Sequence, residues 1–251
     1  MDTRFCNKTF VITGASSDVG LAFIRELGQV CIGVNDGPLL ICHYHTNVDK
    51  LLKLAQNYPE LKIQLVQADL SNMQEVDNLI SNVSDRTEAP DYIIHLPARR
   101  FEYMRYKDMD MDLVQSEMAV QTYSFLRLTK PFVAKMKKIK GSRIVTMLTS
   151  YVADELPPQF MINYVTAKYA LLGAMKAVAA EFGGKNLMCN GISPAMMDTK
   201  FLENIDPKII EINKAATKNG ELIKPEAIVP YIFDLIDLSC DKNGQNICVR
   251  N

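Results

Sequence analysis

The sequence predicts an α/β protein with a doubly wound parallel sheet, and three observations support this. Short apolar runs rich in β-branched residues alternate with longer helical segments along most of the chain. The short runs are continuously apolar, which is typical of strands covered by helices on both faces. No internal repeat or low-complexity linker divides the chain, so we expect a single domain spanning residues 1–251.

The first half of the chain repeats a strand–helix unit. The run "KTFVIT" is apolar and β-branched, whereas "VGLAFIREL" spaces its apolar residues at helical intervals. The predicted elements are strand 8–13, helix 19–27, strand 39–44, helix 47–58, strand 62–69, helix 72–83 and strand 91–96. The connection 28–38 is long for its position, and "VCIGV" within it suggests a short extra strand.

The second half continues the same pattern with longer helices. Its predicted elements are helix 111–138, strand 142–150, helix 161–183, strand 187–193, helix 225–238 and strand 245–250. Strands that alternate with helices in this way form a parallel sheet.

The overall composition points to no special class of partner. Hydrophobic residues make up 48% of the chain, charged residues 23%, and the net charge is −1. This balance gives no overall attraction to nucleic acid or membranes. The six cysteines lack Cys-x-x-Cys spacing and the three histidines lack metal-ligand spacing, so we expect reduced thiols and no metal site. The first residues lack the apolar core of a signal peptide, and we expect a cytoplasmic soluble protein.

The segment "TGASSDVG", residues 13–20, follows the first strand directly and opens the first helix. Glycines there allow a tight turn, and the helix N-terminus offers free N–H groups to phosphate. An ordinary strand–turn–helix connection is the alternative interpretation. The position after the first strand favours a phosphate-binding loop.

Tyr164 and Lys168 lie four residues apart in a predicted helix, on one face. Alone, such a pair usually lies on the protein surface and has no catalytic role. Here it follows Ser150, which stands at the end of a predicted strand. With the loop, the serine and the Tyr-x-x-x-Lys pair in this order, the chain resembles the classical short-chain dehydrogenase/reductase (SDR) family.

The resemblance covers nearly the whole chain and implies a Rossmann fold and NAD(P)(H)-dependent oxidoreduction of CH–OH and C=O groups. In the family, the first turn reads Thr-Gly-x-x-x-Gly-x-Gly. Gly14 and Gly20 match this motif, while Asp18 replaces the middle glycine. An aspartate there brings a negative charge close to a pyrophosphate.

The resemblance also implies the catalytic residues. Tyr164 would exchange the proton, and Lys168 would lower the pKa of its phenol and hold the nicotinamide ribose. Ser150 would donate a hydrogen bond to the substrate oxygen, although its distance from Tyr164 is about one residue longer than usual. Gln121 stands where the family usually has an asparagine.

The cofactor prediction depends on the end of the second strand. It reads "CHYHTN" and lacks the acidic residue that binds the ribose of NAD. His45, Thr46 and Asn47 suit a 2′-phosphate, so NADP(H) is favoured over NAD(H), with a simple polar turn as the alternative. The resemblance assigns cofactor contacts to Gly14, Ser16, Ser17, Asp18, Val19, Gly20, His45, Thr46, Asn47, Asp69, Leu70, Leu96, Pro97, Ala98, Tyr164, Lys168, Pro194 and Thr199.

The substrate region is predicted less sharply. A lid is expected at about residues 195–220, where Met196 and Met197 would line an apolar pocket or simply fill gaps. Basic residues follow the fourth strand and would meet either an anionic partner or solvent; they are Arg99, Arg100, Arg105 and Lys107.

The nearest resemblance is to 3-oxoacyl-[acyl-carrier-protein] reductases. It implies an NADPH-dependent reductase of a small-molecule or carrier-protein-bound ketone, without nucleic-acid or membrane partners. Such enzymes are commonly tetramers that pack through the fourth and fifth helices, which implies a homo-oligomer here, a homotetramer or a dimer. Phe125, Leu128 and Leu172 would allow that contact. Two alternatives stay open: a dinucleotide-binding sensor or assembly subunit with little catalysis, which Asp18, Gln121 and "HLPA" (95–98) favour, and an NAD(P)-dependent alcohol or sugar dehydrogenase.

Overall fold

A computed structural model describes residues 3–153, 156–184 and 186–250. Its strands are β1 (Thr9–Thr13), β2 (Leu39–Tyr44), β3 (Lys62–Gln67), β4 (Tyr92–His95), β5 (Ser142–Met147), β6 (Leu187–Pro194) and β7 (Asn246–Val249). All are parallel, and their order across the sheet is β3-β2-β1-β4-β5-β6-β7. The chain therefore forms the predicted doubly wound α/β sheet, a Rossmann-like fold.

The helices cover both faces of this sheet. They are α1 (Asp18–Val30), α2 (Asp49–Asn57), α3 (Met73–Ser84), α4 (Met111–Met118), α5 (Ser124–Thr129), α6 (Val133–Met136), α7 (Ile162–Phe182), α8 (Pro207–Ala215) and α9 (Val229–Ile236). A π-helical turn, Ala119–Tyr123, joins α4 to α5.

Alternation along β1 shows how the sheet divides the core. Phe10 and Ile12 pack with residues of α1 and α9 on one face. Val11, between them, packs on the other face with residues of α3, α5 and α7. Successive side chains of a strand point to opposite faces, so both faces need apolar cover, and each large side chain buried in this way contributes about 1.5–3 kcal/mol.

Three of the predicted elements differ in the structure. The extra strand at 30–34 was wrong: Val30 ends α1 and the following residues form turns. The helix predicted over 111–138 is divided by the π-helical turn and by a break before α6. The strand predicted over 142–150 ends at Met147, and Ser150 begins a short 3₁₀ turn.

Side chains proposed for an intermolecular contact lie instead in the protein's own core. Phe125 and Leu128 are almost fully buried, and Leu172 packs against the same cluster. The sequence interpretation was therefore wrong for Phe125 and Leu128, whereas Leu172 is only partly buried. No helix within the described residues combines the length and apolarity needed to cross a bilayer.

Candidate active site

The candidate site lies where the chain reverses its winding direction. Strand β1 has β2 on one side and β4 on the other, so the connections after β1 and β4 diverge and leave a crevice at their carboxyl ends. The loop after β1 lines one wall of a cavity there with Ser16, Ser17, Asp18 and Val19.

The backbone of this loop is built around Gly14. Its φ of 69° lies in the left-handed region, where a side chain is strained. A Cβ on Gly14 would also lie 3.0 Å from the backbone nitrogen of Pro97. The Gly14 N–H donates to Nδ1 of His43 over 3.0 Å, and Nε2 of His43 donates to the Ala68 carbonyl over 2.9 Å. Burial lowers the pKa of His43 to about 4, so this neutral imidazole anchors the loop.

The start of α1 is capped within the same loop. The Ser17 hydroxyl accepts a hydrogen bond from the Gly20 N–H. Asp18, in the first turn, accepts a hydrogen bond from the backbone N–H of Lys200 over 2.9 Å. The aspartate that replaces the expected glycine therefore ties the loop to the segment that follows β6.

Tyr164 lies in the first turn of α7, against the same cavity. Burial raises the pKa of its phenol well above the usual value, and a side-chain hydrogen bond with Thr149 opposes that rise. The phenol is therefore protonated at neutral pH.

Thr149 also lines the cavity, together with Leu148 and Tyr151. Ser150, the residue predicted from sequence, is buried at the start of the 3₁₀ turn and is not among the described residues that line this cavity. The threonine is thus the hydroxyl group that the structure brings to Tyr164.

Lys168 is fully buried one turn after Tyr164. Its Nζ lies 5.7 Å from the centre of the Tyr164 ring and donates to the Met147 carbonyl over 2.7 Å. Burial lowers the pKa of this lysine to about 7, although the nearby Glu117 carboxylate opposes the decrease.

A chain of polar groups runs behind Tyr164 and Lys168. The Thr13 hydroxyl donates to Nδ1 of His95, and Nε2 of His95 donates to the Gln121 carbonyl, each over 2.8 Å. The Gln121 side chain then donates to Glu117 Oε2 over 2.6 Å. Burial lowers the pKa of His95 to about 3, which keeps the imidazole neutral.

Aromatic and apolar side chains pack around Tyr164. The Tyr164 ring lies 5.9 Å from Phe101 and 5.5 Å from Phe201, between ring centres. Met161 and Leu202 join the same buried cluster. The Tyr164 ring is therefore packed against apolar side chains.

The cavity brings together twelve of the predicted site residues. They are Ser16, Ser17, Asp18, Val19, Thr46, Asn47, Leu96, Ala98, Tyr164, Lys168, Pro194 and Thr199. The other predicted residues lie beside or behind this lining. They are Gly14, Gly20, His45, Asp69, Leu70, Pro97, Gln121 and Ser150.

His45 and Asp69 lie next to each other at the edge of the site, with 4.0 Å between His45 Nε2 and Asp69 Oδ2. Burial alone would raise the pKa of Asp69, but hydrogen bonds from Ser71 and the charges of His45 and Arg99 lower it overall. Asp69 therefore stays ionised at neutral pH.

Sequence reasoning missed several lining residues. Lys50 lies on α2 and faces the cavity with Thr46 and Asn47. A basic residue in the first turn of the helix after β2 was the signal that could have found it. Of the predicted basic group, Arg99 and Arg100 line the cavity. Arg105 instead packs over the Phe160 ring, and Lys107 lies beside Asp108.

These features fit a dinucleotide cofactor. The loop offers a helix N-terminus, and its close approach to Pro97 at Gly14 leaves no room for a side chain. The same cavity continues to Tyr164 and Lys168. A phosphate-binding loop and a Tyr–Lys pair on one cavity define a class of protein, the nicotinamide-dependent oxidoreductases that act on CH–OH and C=O groups.

Comparison with known proteins identifies the family. Residues 35–250 match a family model described as Enoyl-(Acyl carrier protein) reductase, and the chain belongs to the short-chain dehydrogenase/reductase family. It is 27% identical over 225 residues to the oxidoreductase YmfI of Bacillus subtilis, which covers 88% of each chain. It is 25% identical to the 3-oxoacyl-[acyl-carrier-protein] reductase FabG of Thermotoga maritima, covering 97% of this chain and 96% of that one.

Solved structures show the same fold. A short-chain dehydrogenase from Burkholderia cenocepacia, solved in complex with NADP, superposes with a TM-score of 0.84. Its sequence is 17% identical, and the match covers 98% of both chains. At this identity the similarity establishes the fold.

Proposed function

We propose that this protein is an NADPH-dependent carbonyl reductase of the 3-oxoacyl type. One observation carries the proposal: Tyr164, protonated and buried, faces the same cavity as the phosphate-binding loop. A protonated phenol suits reduction, in which the carbonyl oxygen must receive a proton.

The bound cofactor would supply the hydride, and this chain's residues would supply the rest. The Tyr164 hydroxyl donates its proton to the substrate oxygen as the C=O bond is reduced to CH–OH. The Thr149 hydroxyl donates a hydrogen bond to the same oxygen, where negative charge develops. Lys168, when charged, favours the phenolate that proton transfer leaves behind.

The adenosine end of the cavity supports a preference for NADP(H). Lys50, Thr46 and Asn47 line it together, and His45 lies at its edge. An ammonium, a hydroxyl and an amide together suit a 2′-phosphate better than a bare ribose. The Burkholderia cenocepacia structure, which holds NADP, is consistent with this assignment.

The substrate end supports an apolar ketone with an anionic or carrier-bound tail. Phe201 and Leu202 line this end of the cavity beside Tyr164, which favours an apolar group beside the carbonyl. Arg99 and Arg100 line the same cavity and would meet a negatively charged tail. The resemblance to 3-oxoacyl-[acyl-carrier-protein] reductases fits this arrangement.

We also propose that residues 195–220 act as a lid within a single domain, 1–251. The Met197–Ile223 bridge, the Asp18–Lys200 hydrogen bond and the presence of Thr199 and Phe201 in the cavity lining support this proposal.

We further propose a homo-oligomer that forms through exposed apolar side chains on α5, α7 and the π-helical turn. They are Tyr123, Leu126 and Tyr169. Sedimentation velocity tests this, and a monomer at micromolar concentration would contradict it.

The deciding experiment measures cofactor binding and turnover together. NADPH and NADH are titrated by cofactor fluorescence, and NADPH oxidation is then followed with a short 3-oxoacyl thioester. We expect tighter binding of NADPH and turnover that Tyr164→Phe lowers by about 10²–10⁴-fold. Binding without turnover across a panel of ketones would instead favour the alternative of a dinucleotide-binding protein with little catalysis.

Two neighbouring hydroxyl groups provide a matched comparison in the same assay. Thr149→Ala should lower kcat by about 10²–10³-fold, because it removes a donor to the developing oxyanion. Thr149→Ser keeps the hydroxyl and should restore most of the rate. If Ser150→Ala lowers kcat more than Thr149→Ala does, the serine predicted from sequence is the hydrogen-bond donor and the assignment to Thr149 fails.

A further inference from the structure

Glu117 is a buried carboxylate that the proposed mechanism does not use. It lies near the end of α4 with 1% of its surface exposed, and it is the only acidic side chain buried within the described parts of the chain. Burying a carboxylate is costly unless it is hydrogen-bonded and paired with positive charge. Its location therefore calls for a partner.

Gln121 fixes the orientation of this carboxylate. Its Nε2 donates to Glu117 Oε2 over 2.6 Å, and both side chains are buried. The other amide atom, Gln121 Oε1, is also buried and has no hydrogen-bond partner within the described structure. The amide is thus committed to Glu117, in a position where the family usually has an asparagine.

The π-helical turn holds this pair next to Lys168. The Gln121 carbonyl accepts the His95 hydrogen bond, and the neighbouring Thr122 hydroxyl donates to the carbonyl of Ala167 over 2.9 Å. Ala167 directly precedes Lys168 on α7. Turns of this kind are frequent at functional sites, because they displace side chains from the regular helical positions.

The charged groups around the pair are few. Glu117 interacts with Lys168 from α7, and with Arg99 and Glu102 from the segment after β4. Lys168 interacts with Glu117 and lies near the neutral His95 of β4. Glu117 is therefore the acidic group whose charge acts on the lysine, and the charge of Arg99 acts on Glu117 as well.

We propose that Glu117 is a positioning residue whose carboxylate, oriented by Gln121, keeps the buried Lys168 ammonium charged. The inference rests on the proposed function in assigning a catalytic role to Lys168. It does not depend on the identity of the substrate, because the interaction is internal to the protein.

The sign of the effect follows from electrostatics. Burial lowers the pKa of Lys168 to about 7, and the Glu117 carboxylate opposes that decrease. Removing the carboxylate should therefore lower the pKa of Lys168 further and leave the lysine neutral at pH 7. A neutral lysine no longer stabilises the Tyr164 phenolate.

The test measures Lys168 directly. Protein labelled with ¹³C-lysine is titrated by NMR without cofactor or substrate, and the Lys168 signal is assigned by its loss in Lys168→Arg. In Glu117→Gln we expect the pKa of Lys168 to fall by about one unit, a tenfold shift in its protonation equilibrium. Asp112→Asn is the matched control, since Asp112 is exposed on the same helix and should leave the Lys168 pKa unchanged.

An unchanged pKa of Lys168 in folded Glu117→Gln would overturn the proposal. If that variant does not fold, Gln121→Ala replaces it, because it leaves the carboxylate in place without its orienting amide. The pKa of Lys168 should then fall by a smaller amount, and no fall would again overturn the proposal. Because the titration needs no turnover, its failure is distinct from failure of the proposed reductase activity.

A second readout links the pair to catalysis. The pH profile of kcat should lose activity on its alkaline side at lower pH in Glu117→Gln than in the wild type. A purely structural role would lower kcat at every pH without moving the profile, and that result would also overturn the proposal.

Discussion

At the scale of single residues, burial sets the protonation states of Tyr164 and Lys168. Tyr164 and Lys168 have ordinary side chains, yet the protein shifts their pKa values in opposite directions by removing water. The phenol is held protonated and the lysine is brought close to neutrality. Their neighbours, Thr149 and Glu117, then decide how easily each one changes charge.

Asp18 is the residue at which the phosphate loop departs most from its family. Its carboxylate lines the cavity and accepts the Lys200 N–H. Asp18→Asn keeps an oxygen acceptor for that N–H but removes the negative charge. We expect NADPH to bind about fivefold more tightly, since like charges near the surface repel by on the order of 1 kcal/mol. Fluorescence titration measures the change.

Salt provides an internal check on this prediction. The gain from Asp18→Asn should shrink as ionic strength rises, because salt screens the repulsion. Asp112→Asn is the control, since Asp112 is likewise an aspartate in the first turn of a helix, but lies on α4, is exposed and does not line the cavity. Equal or weaker NADPH binding by Asp18→Asn would mean that its carboxylate does not face the phosphates.

Spacing predicted the Tyr–Lys pair, and the family resemblance supplied twelve residues that the structure places in the cavity lining. The sequence could not choose between Thr149 and Ser150, since that choice depends on where β5 ends, and β5 ends at Met147. It also missed Glu117. Its significance appears only when α4 packs on α7, a contact between segments about fifty residues apart in sequence.

At the scale of elements, the strands were predictable because apolar runs and alternation are local signals. The π-helical turn was not, because nothing in "AVQTY" distinguishes it from an α-helix. It is associated with two distant hydrogen bonds, one from His95 to the Gln121 carbonyl and one from Thr122 to Ala167. Tertiary contacts therefore supply what the local sequence lacks.

The junction between β1 and α1 depends on a close backbone approach at Gly20. A Cβ added there would lie 2.6 Å from the carbonyl oxygen of Ala15 and 2.9 Å from that of Gly14. Because both neighbours are backbone, the loop itself must move. Gly20→Ala should lower the free energy of unfolding by about 1–3 kcal/mol and weaken NADPH binding.

Gly173 offers the opposite case within α7. A Cβ added there meets no atom within 4 Å, and the residue is exposed. Gly173→Ala should raise the free energy of unfolding by about 0.5–1 kcal/mol, because alanine favours the helix. Urea unfolding compares the two variants. Equal effects would show that the Gly20 contact does not constrain the loop.

At the scale of the whole molecule, two neutral histidines link the centre of the sheet to the site. His43 joins the phosphate loop to β2 and the start of the segment after β3, and His95 joins β1 to the π-helical turn. Burial lowers the pKa of His43 to about 4 and of His95 to about 3. Both stay uncharged in the folded protein at pH values where the unfolded chain binds protons.

This difference makes the fold sensitive to acid. Below the unfolded pKa of about 6.5, the unfolded state binds more protons than the native state, so stability falls as pH falls. Each histidine should contribute up to about 1.4 kcal/mol per pH unit between pH 6 and 5. Glu117 acts in the opposite direction, because burial raises its pKa and its carboxyl group therefore binds a proton more readily in the native state. It accounts for at most one proton, so the two histidines determine the sign of the pH dependence. Urea unfolding at several pH values measures the slope.

Substitution separates the buried histidines from the exposed one. His95→Gln should lower stability at pH 7, because it disturbs two buried hydrogen bonds, yet its stability should fall less steeply between pH 6 and 5 than that of the wild type. His45→Gln is the control, since the His45 side chain is 63% exposed, and it should leave the slope unchanged. A slope that His45→Gln flattens and His95→Gln does not would place the acid sensitivity at the surface. The central polar chain would then not be its source.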